Sequence, residues 1–345
     1  MTTAALRAQL LAWYDAHARD LPWRAPPGAA RRAGPYRVWL TEVMLQQTTV
    51  PHATPYFLKF AARWPTVSAL AAEEDGEVMA AWAGLGYYAR ARNLLACARA
   101  VASDHGGVFP DTEKGLRALP GFGPYTAAAV AAIAFDRPAN VVDGNVERVM
   151  ARLFAVEAPL PEAKPELKRL AAALIRRERP GDWAQALMDL GAVICRPRQP
   201  LCDRCPVSSH CAALATGAPE TYPRRSPKAD RPRRHGAAYI LTRSDEVALV
   251  RRPPKGLLGG MLALPTTEWG AKPLTDAEAS AAAPLEADWR PAGEIEHVFT
   301  HFSLTLRLFR AEGEASDAIW TKRAGLDALP SVFLKAARAG LSGLL

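Results

Sequence analysis

Four of the five cysteines crowd into one short stretch, Cys195-x6-Cys202-x2-Cys205-x5-Cys211. No other feature limits the fold so tightly, because thiols this close in sequence force a compact loop around whatever joins them. Two disulfides, a zinc knuckle and an iron–sulfur cluster with one thiolate per iron are all compatible with four thiols. Zinc sites usually pair two short knuckles, and here only Cys202 and Cys205 form one, so the spacing points to metal and leaves its identity open. The fifth thiol, Cys97, stands in an alanine-rich helical stretch (94–102) and reads as a small core residue. An unpaired thiol, and an opening segment with Asp15, Asp20 and several arginines in place of an apolar export core, argue for a cytoplasmic chain.

A length of 345 residues suits two domains with real cores. Apolar runs are short and broken by charge, so no membrane span is expected. The net charge is +8, and between positions 196 and 234 nine Lys/Arg face three Asp/Glu. A basic stripe of this kind is the footprint of a phosphate-binding surface, and equally that of a solvated Arg/Pro-rich linker.

Alanine and leucine recur at helical spacing from Thr2 to about Ala213, broken at the Pro/Gly clusters 25–34, 106–110 and 157–165. Residues 216–234 read as a linker. Beyond it, 237–242 and 246–251 flank a turn at Ser244-Asp245. Residues 302–308 alternate strictly, with Phe302, Leu304, Leu306 and Leu308 on one face, and a short helix closes the chain near 331–339. The expected architecture is a mainly α domain over 1–215, carrying the cysteine loop 195–211, followed by a linker and a smaller α+β domain over 235–345.

Several segments carry candidate chemistry. Residues 36–50 read as one helix in which Glu42 shares a face with Val38, Trp39, Leu45 and Gln46. A carboxylate on so apolar a face is desolvated and its pKa rises, as a proton donor requires; a surface glutamate at the edge of the stripe has the same pattern. Leu119-Pro120-Gly121-Phe122-Gly123-Pro124-Tyr125-Thr126 leads into an alanine-rich helix whose free N–H groups suit a phosphate, or forms an ordinary turn. Asp143 is a natural N-cap, with Asn145 beside it to orient it or a ligand. The loop Gly84-Leu85-Gly86-Tyr87-Tyr88-Ala89-Arg90 displays Leu and Tyr above arginines, which suits insertion into a base stack; Tyr88 fits aromatic packing equally well.

In this order the hairpin L-P-G-x-G, the aspartate some twenty residues beyond it and the four-cysteine loop resemble the helix-hairpin-helix DNA glycosylases. Leu21-Pro22-Trp23-Arg24, the run from Glu42 to Thr48, Gly84 to Arg90, Asp143-Gly144-Asn145-Val146 and Met188-Asp189-Leu190-Gly191-Ala192 are similar to the adenine-removing, MutY-type branch. The resemblance implies base excision of adenine opposite 8-oxoguanine or guanine in double-stranded DNA. It also implies a [4Fe-4S] cluster on Cys195, Cys202, Cys205 and Cys211, and a monomer associated with the nucleoid. By the same resemblance Glu42 protonates the adenine, Asp143 stabilises the sugar cation, and Tyr125 and Asn145 position them. Gly121 and Gly123 bind phosphate, Leu85 and Tyr87 invade the duplex, Gln47 and Thr48 meet the lesion strand, and Arg24 and Gln185 line the adenine pocket. Where strand-cutting relatives place a lysine after the hairpin, this chain has Tyr125, which implies base removal without efficient strand cleavage. Glu147 stands where some relatives carry a lysine.

The C-terminal domain resembles a MutT-like (Nudix) fold around residues 251–260. The spaced glutamates that hold magnesium in Nudix hydrolases do not occur between Gly259 and Glu296, which implies recognition rather than hydrolysis. Phe299-Thr300-His301 stands where relatives carry F-S-H facing 8-oxoguanine. The rival readings are a glycosylase/lyase for oxidised pyrimidines, a nucleotide pyrophosphatase, and a non-catalytic DNA-binding iron–sulfur protein.

Overall fold

The computed structural model describes residues 3–227, 231–253, 256–284, 287–299 and 301–342. The chain divides into two units, Met1–Pro227 and Lys228–Leu345.

The first unit is helical, and its centre is Pro124–Phe135. Pro124 opens this helix with its preset φ and Gly123 caps it without a side chain. From Thr126 to Ile133 every residue is buried. An alanine-rich cylinder buried all round is thin, so its neighbours approach to backbone distance. Pro35–Met44 packs on one side and Pro180–Asp189 on another. At the second contact a Cβ on Gly181 would lie 2.6 Å from the Ala132 carbonyl oxygen, so only glycine fits. Cys97 is fully buried, as a core residue should be. Among the described residues no helix is long and apolar enough to cross a membrane.

The helix expected over 36–50 ends sooner. It runs Pro35–Met44, and the next, Val50–Arg63, begins with Pro51 in its first turn. Between them Gln47 adopts a left-handed backbone (φ 60°) that no helix continues through. The linker expected over 216–234 is also shorter. Tyr222 is buried at 3% exposure, its carbonyl accepts from Arg152 Nε at 3.0 Å, and Leu160 N donates to Arg224 O at 2.8 Å. Residues 216–227 therefore belong to the helical unit, and Arg233 and Arg234 already lie in a strand.

In the second unit β1 (Arg233–Arg243), β2 (Glu246–Arg251), β3 (Leu262–Ala263), β4 (Arg290–Val298), β5 (Ser303–Glu312) and β6 (Ile319–Lys322) form one sheet. The order is β3-β2-β1-β5-β4, with β6 also on β2, and β1 runs parallel to β5. Ser244 makes the β1–β2 turn at φ 49°. The alternation read from 302–308 is realised: Leu304, Leu306 and Leu308 are buried with Phe333, Ala336 and Ala337 of the helix Ser331–Leu341. Tyr239 and Phe309 face the other side, against Ala279 of the helix Asp276–Ala281.

Candidate active site

Glu42 lies in the last part of Pro35–Met44, whose neighbouring residues Leu40, Thr41, Val43 and Met44 are buried. Its carboxyl points into a cavity of about 530 Å³ in the helical unit. Burial pushes its pKa up to about 7; the hydrogen bond from Tyr125 opposes this, nearby Asp143 adds to it, and Arg24 lowers it. Tyr125 is the second residue of Pro124–Phe135, and its hydroxyl donates to Glu42 Oε2 at 2.8 Å. Burial, with Glu42 and Asp143 beside it, holds the phenol well above its ordinary range, so it stays a neutral donor.

Asp143 is both N-cap and cavity wall. One oxygen accepts from Val146 N at 2.7 Å, closing the first turn of Gly144–Leu153, and the other accepts from Asn145 Nδ2 at 3.0 Å. Asn145 Oδ1 in turn accepts from Arg148 Nη2 at 2.8 Å, and Arg148 Nε donates to the Cys195 carbonyl at 2.8 Å. A continuous polar chain thus joins the cavity aspartate to the start of the cysteine loop. Arg148 was not singled out from the sequence, because a lone arginine on a helix gives no sign of so distant a partner.

Across the cavity Arg24 forms a bidentate pair with Asp189 at 2.7 and 2.9 Å, and Arg19 adds a further bond at 2.6 Å. Asp189 is wholly buried, and these hydrogen bonds and charges hold its carboxyl below the usual range despite desolvation. Gln185 lies alongside, 5% exposed and bonded to the Gly181 carbonyl. Gln47 and Thr48 also line the cavity. Glu147 lies at the cavity wall and is matched by Lys164, Nζ to Oε1 3.1 Å, from another helix.

In the hairpin, Gly121 takes φ +74° and a Cβ there would lie 2.8 Å from Asn93 Cβ, so glycine is required. Gly123 has an ordinary φ of −81° and open space around it. Loop 84–88 presents Tyr87 at 56% exposure and φ 50°, whereas Leu85 is buried at 4%. Tyr88 packs against the core.

The cysteine loop follows a π-helical turn, Leu190–Ile194, and folds as two 3-10 turns before Cys211 opens a last short helix. All four thiols are free and half-buried. Burial raises the Cys205 thiol to about 11 and also raises the Cys202 and Cys211 thiols, and charge on Cys195 adds to all three. Arg152, 2% exposed, threads between them: Nη1 donates to Cys195 Sγ at 3.3 Å and to the Arg196 carbonyl at 2.7 Å, while the Cys211 thiol donates to the Arg152 carbonyl at 3.4 Å. Among the described residues no three His, Cys, Asp or Glu gather tightly enough to hold a single metal ion.

Residues 40–176 match the HhH-GPD superfamily of base excision DNA repair proteins, and residues 236–338 match the NUDIX domain family. Adenine DNA glycosylase from Homo sapiens is 36% identical over 92% of this chain and 68% of its own length. The chain belongs to the adenine DNA glycosylase family. Adenine DNA glycosylase from Mycolicibacterium smegmatis is 42% identical over 61% of this chain and 70% of its own. A thermostable thymine-DNA glycosylase shares the fold of the first unit with a TM-score of 0.55 and 30% identity, covering 62% of this chain and 97% of that one. Endonuclease III trapped on DNA gives a TM-score of 0.52 at 23% identity, covering 63% of this chain and 99% of that one, a likeness of fold. This glycosylase is therefore an enzyme of base excision repair that acts on adenine in DNA, built as a helical glycosylase unit and a Nudix unit.

In the glycosylase's second unit His301 is exposed, and Phe299 stacks on Phe302 and Trp269 at 4.8 and 5.8 Å; Thr300 lies outside the described residues.

The polar chain from Asp143 leaves no room at Gly191, where a Cβ would lie 2.6 Å from Asn145 Cβ. Gly191→Ala is expected to displace Asn145 and slow single-turnover excision on the order of 10- to 100-fold. Overpacking adds a stability loss of about 1–3 kcal/mol, read by thermal melting. Parent-like values of both would remove Asn145 from its positioning role.

Proposed function

We propose that the glycosylase removes adenine opposite 8-oxoguanine or guanine in duplex DNA, leaving the strand uncut, and that the 530 Å³ cavity receives the everted adenine and its sugar. The observation that carries the reading is the placing of Glu42, its pKa raised by burial to about 7, on the wall of the same cavity as Asp143. Neutral adenine is a poor leaving group. Glu42 gives its proton to N7 as the C1′–N9 bond breaks, and the electron pair of that bond stays with the base. The sugar becomes an oxocarbenium ion, which the Asp143 carboxylate stabilises. Water then adds to C1′ and returns a proton to Glu42. Tyr125 holds Glu42 and Asn145 holds Asp143. Arg24, fixed by Asp189, and Gln185 border the base.

Tyr125 offers no amine for an imine, and the ammonium of Lys164 is engaged by Glu147. Outside the cavity, Gly121 and Gly123 take a phosphate at the N-terminus of Pro124–Phe135. Exposed Tyr87 enters the base stack with exposed Gln47 beside it, and Gln47 and Thr48 meet the lesion strand; Leu85, expected to invade the duplex, is buried at 4% and backs them from the core instead. The Nudix unit, lacking a spaced glutamate run, reads the opposite base through Thr300 and His301.

Four free, half-buried cysteines within one short loop suit a [4Fe-4S] cluster on Cys195, Cys202, Cys205 and Cys211. Such a cluster cross-links the loop that presents Arg196, Arg198 and Arg204. Arg152 fits the group as a charge-assisted partner to Cys195.

The deciding assay compares release of adenine opposite 8-oxoguanine, guanine and cytosine, scoring strand breaks before and after alkali. Fast release opposite 8-oxoguanine, with breaks only after alkali, is expected. Equal rates opposite cytosine would refute the lesion preference, and breaks before alkali would refute monofunctional action.

A further inference from the structure

Loop 84–88 is held with unusual completeness for a surface turn. The Ala83 carbonyl accepts from the Tyr56 hydroxyl at 3.0 Å and the Gly84 carbonyl from His52 Nε2 at 3.2 Å. Arg90 Nη2 donates to the Leu85 and Gly86 carbonyls at 3.0 and 3.2 Å, and Trp82 Nε1 shares Gly86 at 3.0 Å. Four successive carbonyls are thus tied to side chains. Gly84 has no slack, since a Cβ there would lie 2.1 Å from the Tyr56 hydroxyl.

Arg90 alone in this set reaches a second turn. Its Nη1 points at the carbonyls of Val43 (2.9 Å), Met44 (3.2 Å) and Gln46 (2.5 Å), where the helix Pro35–Met44 gives out. The guanidinium also lies over the rings of Trp82 and Tyr87, 5.3 and 5.5 Å from their centroids. Beyond Gln46 and beyond Gly86 stand Gln47 and Tyr87, both exposed and both in left-handed backbone, at φ 60° and 50°. Non-glycine residues persist in that region only where the surroundings overdetermine them. The surroundings here are two rows of carbonyls joined through one planar fork, a geometry that lysine cannot copy.

We propose that Arg90 is a positioning residue that fastens the Gln47 turn and the Tyr87 turn into one rigid double probe, so that the two side chains open the base stack together at fixed spacing. This rests on the DNA-entering role given above to Gln47 and Tyr87. A rigid pair loses no further freedom when it enters the duplex, whereas two independent turns must be ordered at that moment. In this role Arg90 acts through the two probes, to whose turns its contacts in the protein are made.

The test is a double-mutant cycle on single-turnover adenine excision from duplex carrying 8-oxoguanine opposite, using the full chain. Arg90→Lys is expected to slow excision on the order of 10- to 100-fold. In a Tyr87→Ala background the same change should cost less than about threefold, since one end of the coupling it provides is gone. A second cycle needs no change at the strut: Gln47→Ala and Tyr87→Ala, both on the surface, should together lose clearly less than the product of their separate losses. 2-Aminopurine placed beside the target adenine should brighten on binding to the parent and brighten less with Arg90→Lys, showing that eversion is what fails. Multiplicative losses in either cycle, or undiminished 2-aminopurine brightening with Arg90→Lys, would overturn the strut. A parent enzyme that releases no adenine from this duplex would instead overturn the proposed function.

Discussion

Glu42→Gln is expected to bind mispaired duplex with parent-like affinity and to lose adenine excision by about 10²- to 10⁴-fold in single-turnover assays. The amide keeps the shape and still accepts from the Tyr125 hydroxyl, so the 2.8 Å contact and the packing of Pro35–Met44 survive. What it cannot do is give a proton to N7. The pH dependence supplies a second reading of the same group. With its pKa raised to about 7, Glu42 is protonated below that value and becomes anionic above it, so excision should be level in mild acid and fall as pH rises through 7. Removing the hydrogen bond with Tyr125→Phe takes away an influence that lowers this pKa. The fall should then move to higher pH. A flat profile from pH 6 to 9, or near-parent rates with Glu42→Gln, would exclude Glu42 as the acid.

Asp143→Asn is expected to cost about 10²- to 10³-fold in the same assay, because a neutral amide cannot stabilise an oxocarbenium ion. The helix Gly144–Leu153 should remain, since asparagine caps as well as aspartate and its carbonyl can still accept from Val146 N. The new amide nitrogen, however, would face Asn145 Nδ2, setting donor against donor where a 3.0 Å bond now stands. Part of the loss will therefore pass through Asn145 to Arg148. Asp143→Ala separates the two contributions: it removes both the charge and the cap, and should lower the melting temperature as well as the rate. Excision by Asp143→Asn within tenfold of the parent would remove Asp143 from the mechanism.

What could be read from the sequence was local. The cysteine loop, the L-P-G-x-G hairpin and the Asp143-Gly144-Asn145 cap each lie within a few residues, so their spacing carries their geometry. The 3.6-residue period put Glu42 on an apolar face and the period of two gave the inward side of β5. The early end of the Glu42 helix has a signal in Pro51, since proline is favoured in the first turn of a helix and so marks the start of a new one. The arginines were illegible. Arg90, Arg148 and Arg152 find their main partners some 40 residues or more away, or in backbone carbonyls with no side-chain signature. Arginine on a helix reads as solvated, yet here it joins one turn to another. The parallel pairing of β1 with β5, and the bulge at Pro291–Gly293 in β4, likewise follow from contacts the chain does not announce.

The contact of Gly181 with the Ala132 carbonyl bears on redesign. Two backbones in direct touch have no compliant side chains between them, so the helices that carry Tyr125 and Gln185 behave as one casting. An engineer seeking to accept a different purine can alter the side chains at Gln185 and Met188, which border the cavity, without loosening the phenol mounted on the other helix. Directed evolution of the base pocket should accordingly find its gains in those side chains and almost none at Gly181.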